Sequence, residues 1–243
     1  MSFVAASPRD RLILGLDVAS VAEAERVVEE TRGAVGVYKI GYRLVFAGGL
    51  ALAERLIAAG EKVFLDVKLL DIDNTVEEGI ESILALGVDW VTLHAYPKAM
   101  RAAVKARDAQ MGGRTKLLGV TVLTSMDDGD LAAAGYAGSV ADLVVARARD
   151  AVAAGMNGIV CSAAEAARLR AAVGPDLILV TPGVRPAGAA AGDQKRVATP
   201  GDAIRAGADL LVLARPILGA ADRRTAALRI VDEIAEACEN SKS

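Results

Sequence analysis

Eight short apolar, β-branched runs alternate with Ala-rich amphipathic segments along 243 residues, no Pro/Gly/Ser-rich linker divides them, and glycines close several of the helical segments. Together these predict an α/β protein, a single (β/α)8 TIM barrel over residues 1–243 with short flexible tails, rather than an open doubly wound sheet. The first strand is expected at Arg11–Asp17 and its helix at Val21–Thr31; the second strand at Val35–Ile40 leads to a helix at Leu44–Ala59, stopped by Gly60. Val63, Phe64 and Leu65 give strand character to Lys62–Lys68, followed by a helix at Val76–Leu86 that Gly87 ends. Trp90–His94 with Lys98–Arg107, then Lys116–Leu123 with Val140–Ala154 and its Gly155, supply the fourth and fifth units. Gly158–Cys161 with Ala163–Ala172, Leu177–Thr181 with Asp202–Ala206, and Leu210–Ala214 with Ala221–Cys238 complete the eight; Gly174 and Gly207 mark two more stops.

Composition narrows the function classes. Hydrophobic residues make up 53% and aromatics 3%, which suits helices close-packed on a parallel sheet. A net charge of −3 with scattered Arg and Lys gives no reason to expect nucleic acid or an anionic membrane as partner. Neither GxGxxG nor a Walker A pattern occurs. Cys161 and Cys238 stand far apart without metal-ligand or redox spacing, and read as a buried thiol and a tail-helix thiol. No secretory leader or membrane-length apolar run is evident, so a soluble, cytoplasmic protein is expected.

In a barrel of this kind the site forms where strands end and helices begin, so the residues at the strand ends matter most. They are Asp17, Lys39, Asp66 with Lys68, His94, Thr124 with Ser125, Pro182 with Gly183, and Arg215. Asp66 and Lys68, two apart, leave one strand on the same face, and desolvating both charges costs several kcal/mol each. His94, the only histidine, reads as a rim or core residue rather than a base or metal ligand. Thr124 and Ser125 have a second reading, as caps of a short helix near Met126–Leu131. Two long connections, Ser125–Gly138 and Gly183–Pro200, fall at the same rim; the second is expected to act as a lid. Gly183, Gln194, the backbone at Ala214 and the Arg215 guanidinium suit a phosphate. A substrate as long as a nucleoside monophosphate or sugar phosphate would span the mouth.

The run FLDVKLLDIDNTV, with Leu16-Asp17, Lys39, Leu123-Thr124-Ser125, TPGVRP and Arg215-Pro216-Ile217, resembles the orotidine 5'-phosphate decarboxylase family over nearly the whole chain. The resemblance implies decarboxylation of orotidine 5'-phosphate to UMP and CO₂ in de novo pyrimidine biosynthesis, by a homodimer with shared active sites and without metal or cofactor. It implies that Lys39, Asp66, Lys68 and the partner's Asp71 form an alternating charge network, with Lys68 as proton donor to C6. Asp17 and Lys39, with the partner's Thr75, would hold the ribose; Ser125 would read the pyrimidine edge and Gln194 bridge it to the phosphate. Arg215 would grip the phosphate with the backbone at Gly183 and Ala214, Arg185 lying in or beside the closing loop. Asp73 and Ala214 depart from the family's usual Pro and Gly, with turn stiffness and phosphate approach the expected effects. The nearest rival is a related Mg²⁺-dependent barrel, a keto-gulonate-phosphate decarboxylase or hexulose-phosphate synthase; a catalytically silent sugar-phosphate binder is the alternative from another class.

Overall fold

A computed structural model describes residues 5–110, 113–186 and 198–240. Its eight parallel strands close in sequence order: β1 (Leu12–Gly15), β2 (Val37–Gly41), β3 (Val63–Leu69), β4 (Trp90–His94), β5 (Lys116–Val120), β6 (Gly158–Val160), β7 (Ile178–Pro182) and β8 (Leu210–Leu213), which pairs back onto β1. Around them run α1 (Val21–Thr31), α2 (Tyr42–Leu44), α3 (Leu50–Ala58), α4 (Asp73–Leu86), α5 (Pro97–Ala109) and α6 (Asp128–Ala133). The second half carries α7 (Val140–Ala154), α8 (Ala163–Val173), α9 (Pro200–Arg205), α10 (Arg215–Leu218) and α11 (Arg223–Asn240). The barrel expected from the alternation is the observed one, and among the described residues no helix is long and apolar enough to cross a membrane.

Strand residues alternate between two cores, as a period of two requires. Ile13, Val37, Phe64, Trp90, Leu118, Ile178, Val180, Leu210 and Val212 fill the barrel interior, while the larger cluster, including Leu12, Leu14, Tyr38 and Leu65, packs outward against the helices. Cys161 lies in that outer layer, fully buried, and burial pushes its thiol up to about 12; Cys238 on α11 is partly exposed.

Several boundaries differ from expectation for identifiable reasons. The Leu44–Ala59 helix is interrupted by a wide π turn at Val45–Gly49. Gly48 there takes φ +94°, and a Cβ on Gly49 would stand 2.6 Å from the Leu44 carbonyl oxygen. β5 stops at Val120, not Leu123, because the next carbonyl, that of Thr121, is taken by the Arg147 guanidinium. Thr124 and Ser125 do not cap the following helix. Asp127 does, accepting from the Asp130 N–H while the Asp130 carboxylate accepts from the Asp127 N–H. α4 begins at Asp73, three residues earlier than expected; the acidic side chain suits a helix start and also pairs with Lys98 at 3.0 Å. The effect of Asp73 therefore extends beyond turn stiffness.

Candidate active site

The barrel interior changes character one step above its apolar core. On the inward face Ile13 is followed by Gly15 and Asp17, Val37 by Lys39 and Gly41, Phe64 by Asp66, and Trp90 by Thr92. Simple alternation thus lifts the charged set onto the apolar floor. Above it opens a cavity of about 260 Å³, lined by Asp17, Lys39, Asp66 and Lys68 on one side, Val120, Val160 and Val212 at its base, and Thr124, Pro182, Gly183, Arg185, Ala214 and Arg215 around the rest.

Lys39 Nζ lies 3.1 Å from Asp17 Oδ1 and 3.4 Å from Asp66 Oδ2, and Lys68 Nζ lies 2.7 Å from Asp66 Oδ1. Burial alone would push the Lys39 ammonium down, but the charges of Asp66 and Asp17 outweigh it and hold its pKa above the ordinary 10.5. Burial would likewise raise the Asp66 carboxyl, and the charges of Lys39 and Lys68, with hydrogen bonds from Lys68 and Thr92, hold it below the ordinary 3.8. The signs fix a pH window. An acid with a lowered pKa loses its contribution to stability as pH falls through the folded value, and a base with a raised pKa loses its contribution as pH rises through its own. The Lys39–Asp66 pair is therefore expected to contribute a constant amount between the ordinary values of 3.8 and 10.5 and to fade only outside them. Denaturant melts of wild type and an Asp66→Asn, Lys39→Met double variant across pH 4–10 check this; a difference that changes steeply around neutrality would contradict it.

Glycines make room for these charges. A Cβ at Gly15 would stand 3.1 Å from both Asp17 Oδ2 and the Ala214 methyl, and one at Gly41 would stand 3.3 Å from Lys39 Nζ. The Ala214 methyl thus occupies space that Gly15 leaves, at φ −128°, a value any residue can adopt.

β3 departs from regular pairing where its charges emerge. Leu65 pairs with Val91 and Leu69 with Leu93, four steps along β3 against two along β4, so Asp66, Val67 and Lys68 stand opposite Thr92 alone. Lys68 takes φ +43°, the single positive value at a non-glycine residue among the described residues. Its N–H donates to Thr92 Oγ1 at 2.9 Å, the Thr92 hydroxyl donates to Asp66 Oδ1 at 2.9 Å, and the Val67 carbonyl accepts from the Tyr42 hydroxyl at 2.6 Å. Sequence reading missed Thr92, Tyr42, Gly15 and Gly41; the inward alternation from Trp90 to Thr92 was the available signal.

Other expected residues fall elsewhere. Ser125 is exposed in the turn after β5, outside the cavity lining. Asp71 and Thr75 are also exposed and outside it, and Asp71 Oδ1 accepts from the Ile72 N–H at 2.7 Å. Arg185, by contrast, belongs to the cavity lining; it is buried, and its backbone N–H donates to the Ala198 carbonyl, joining the described ends of the long connection. Gln194 and most of the expected lid lie outside the described residues. His94 is half-buried and lines a neighbouring cavity with Tyr96, Tyr136 and Arg147; burial, then the Arg147 and Lys68 charges, lower its pKa. Among the described residues no group of three His, Cys, Asp or Glu side chains is placed to hold a metal ion.

Comparison with known proteins agrees with this architecture. The chain is 63% identical over 231 residues to the orotidine 5'-phosphate decarboxylase of Methylobacterium sp. (strain 4-46), covering 95% of this chain and 98% of that protein. It is 59% identical over 229 residues to the enzyme of that name from Rhodopseudomonas palustris (strain BisB5), covering 94% and 96%. The crystal structure of orotidine 5'-phosphate decarboxylase from Lactobacillus acidophilus superposes with a TM-score of 0.82 at 31% identity, covering 92% of this chain and 98% of that one. A model of the orotidine 5'-phosphate decarboxylase / HUMPS family matches residues 10–230, and on that extent of agreement the chain belongs to this family.

Proposed function

We propose that this protein, a single barrel domain, decarboxylates orotidine 5'-phosphate to UMP and CO₂ in de novo pyrimidine biosynthesis, in the cytoplasm and without cofactor. The observation that carries the reading is the Lys68 ammonium held 2.7 Å from Asp66 at one side of a cavity whose other side carries Gly183 and Arg185. β7 lies four strands from β3 around the closed barrel, directly across the mouth. A substrate with its reacting carbon over Lys68 and its phosphate near β7 and β8 fits that span.

Breaking the bond from C6 to the carboxylate leaves its electron pair at C6, where the ring delocalises it poorly. Stabilisation must be electrostatic, and an ammonium fixed in a partly buried site costs no reorganisation as the charge develops. Lys68 then gives its proton to C6 and regains one from solvent. Asp66 would lie near the departing carboxylate, and Asp17 with Lys39 would hold the ribose hydroxyls. Ser125 and Thr124 would face the base, and Gln194, Pro182, Gly183, Arg185, Ala214 and Arg215 the phosphate side. Phosphate binding there would supply remote binding energy to order the site.

Against the Mg²⁺-dependent rival stands the placement of the Asp66 oxygens: one receives Lys68 and Thr92, the other faces Lys39 at 3.4 Å. A carboxylate so engaged with ammonium groups is poorly disposed to ligate a cation. Loss of orotate absorbance from orotidine 5'-phosphate in the presence of EDTA tests the reading, and turnover that EDTA abolishes and Mg²⁺ restores would favour the rival. Arg215→Ala is expected to lower kcat/KM on the phosphorylated substrate by ~10–100-fold while changing turnover of orotidine little. Equal losses on both would assign Arg215 a structural role.

The same reading includes a homodimer with shared sites. Supporting it are the exposed apolar side chains beside Asp71, Leu70 at 49% and Ile72 at 71%, and the exposed Tyr96 and Leu123 that line one cavity with Leu70.

A further inference from the structure

We propose that Thr92 is a positioning residue for this chemistry, one hydroxyl that fixes both the Lys68 backbone and the Asp66 carboxylate. The inference rests on the decarboxylase reading and concerns a residue outside the cavity lining. Its basis is the irregular pairing of β3. With three residues opposite one, the ladder of β4 offers no regular backbone acceptor to the Lys68 N–H. A buried amide left without an acceptor is costly. Thr92 Oγ1 fills that place at 2.9 Å, and since a hydroxyl both accepts and donates, the same hydroxyl donates a hydrogen bond to Asp66 Oδ1 at 2.9 Å. That carboxylate oxygen also receives Lys68 Nζ at 2.7 Å. A closed ring results: Lys68 backbone to Thr92, Thr92 to Asp66, Asp66 back to the Lys68 ammonium.

The ring has two consequences. It holds Lys68 at φ +43°, where a non-glycine residue persists only if its surroundings over-determine it. It also ties the height of the ammonium to the orientation of the carboxylate, so neither can shift alone. Thr92 is fully buried, at 1% exposure, and on its other side pairs in regular register with Leu118 of β5, which makes it a rigid anchor. Valine has the same shape without the hydroxyl; serine keeps the hydroxyl without the methyl.

The test compares Thr92→Val and Thr92→Ser in steady-state decarboxylation, UMP binding and crystal structures. Thr92→Val is expected to lose kcat by at least about tenfold, the worth of a hydrogen bond to a charged group, with KM and UMP affinity within about twofold. Thr92→Ser is expected to recover most of that loss, which repacking around a missing methyl would not do. In the crystal the 2.7 Å contact of Lys68 Nζ with Asp66 is expected to be lost in the valine variant and kept in the serine variant. Near-native kcat in Thr92→Val, a serine variant as impaired as the valine one, or a KM that rises in step with the fall in kcat would each overturn the proposal. If Thr92→Val does not fold, Thr92→Ala is judged against Thr92→Ser by the same criteria. A wild-type chain without turnover would sink the decarboxylase reading alone, leaving the crystallographic comparison to decide the role of Thr92.

Discussion

Lys68→Ala is expected to reduce decarboxylation by at least about 10⁴-fold while UMP still binds, because the proposed proton donor and the cation proposed to face C6 would disappear together. The side of the cavity proposed for the phosphate, carried by residues after β7 and β8, is untouched by the change. Asp66 keeps Lys39 at 3.4 Å and the Thr92 hydroxyl, so the carboxylate is not stranded and the barrel is expected to fold. Lys68→Gly is the matched control, since glycine accepts φ +43° without strain. Calorimetric titration with UMP separates the two functions. Near-native turnover in either variant would remove Lys68 from the chemistry.

The second large effect concerns Asp71. Within its own chain this carboxylate is exposed and bonded to the backbone N–H of Ile72, outside the cavity that holds Lys68. In a two-fold dimer what one subunit lends it also receives. On the shared-site homodimer proposed above, Lys68→Ala and Asp71→Asn proteins, each expected to be inactive alone, are therefore expected to regain activity when mixed and allowed to exchange subunits. A mixed dimer has one site with both lesions and one with neither, so random exchange would restore about a quarter of wild-type sites. Native mass spectrometry establishes the mixed dimer, and its presence without recovered turnover would place Asp71 in its own subunit's site.

The charged set was legible because strand alternation is simple: Asp17, Lys39 and Asp66 each follow a core residue on the same face. Thr92 lies two residues inside the end of its strand and looks like an ordinary β-branched residue until its partners on β3 are known. No local pattern announces that three residues will face one, since that depends on register between strands 24 or more residues apart. The Asp127–Asp130 box and the Gly48-Gly49 pair were visible in the sequence and would have corrected the short helix and the broken one. α10, with four residues, is too short for periodicity to reveal.

The thiol of Cys161 gives this protein an unequal pair of reactive groups. Burial holds the Cys161 thiol well above its ordinary pKa, so little of it is thiolate at neutral pH, and the residue is fully buried. Alkylating agents and peroxide therefore meet a native chain with a single usable cysteine, Cys238 on the last helix. Modification of Cys161 requires that the layer between barrel and helices first open, so its labelling reports that opening, while Cys238, only partly buried against the same layer, is the faster-reacting thiol.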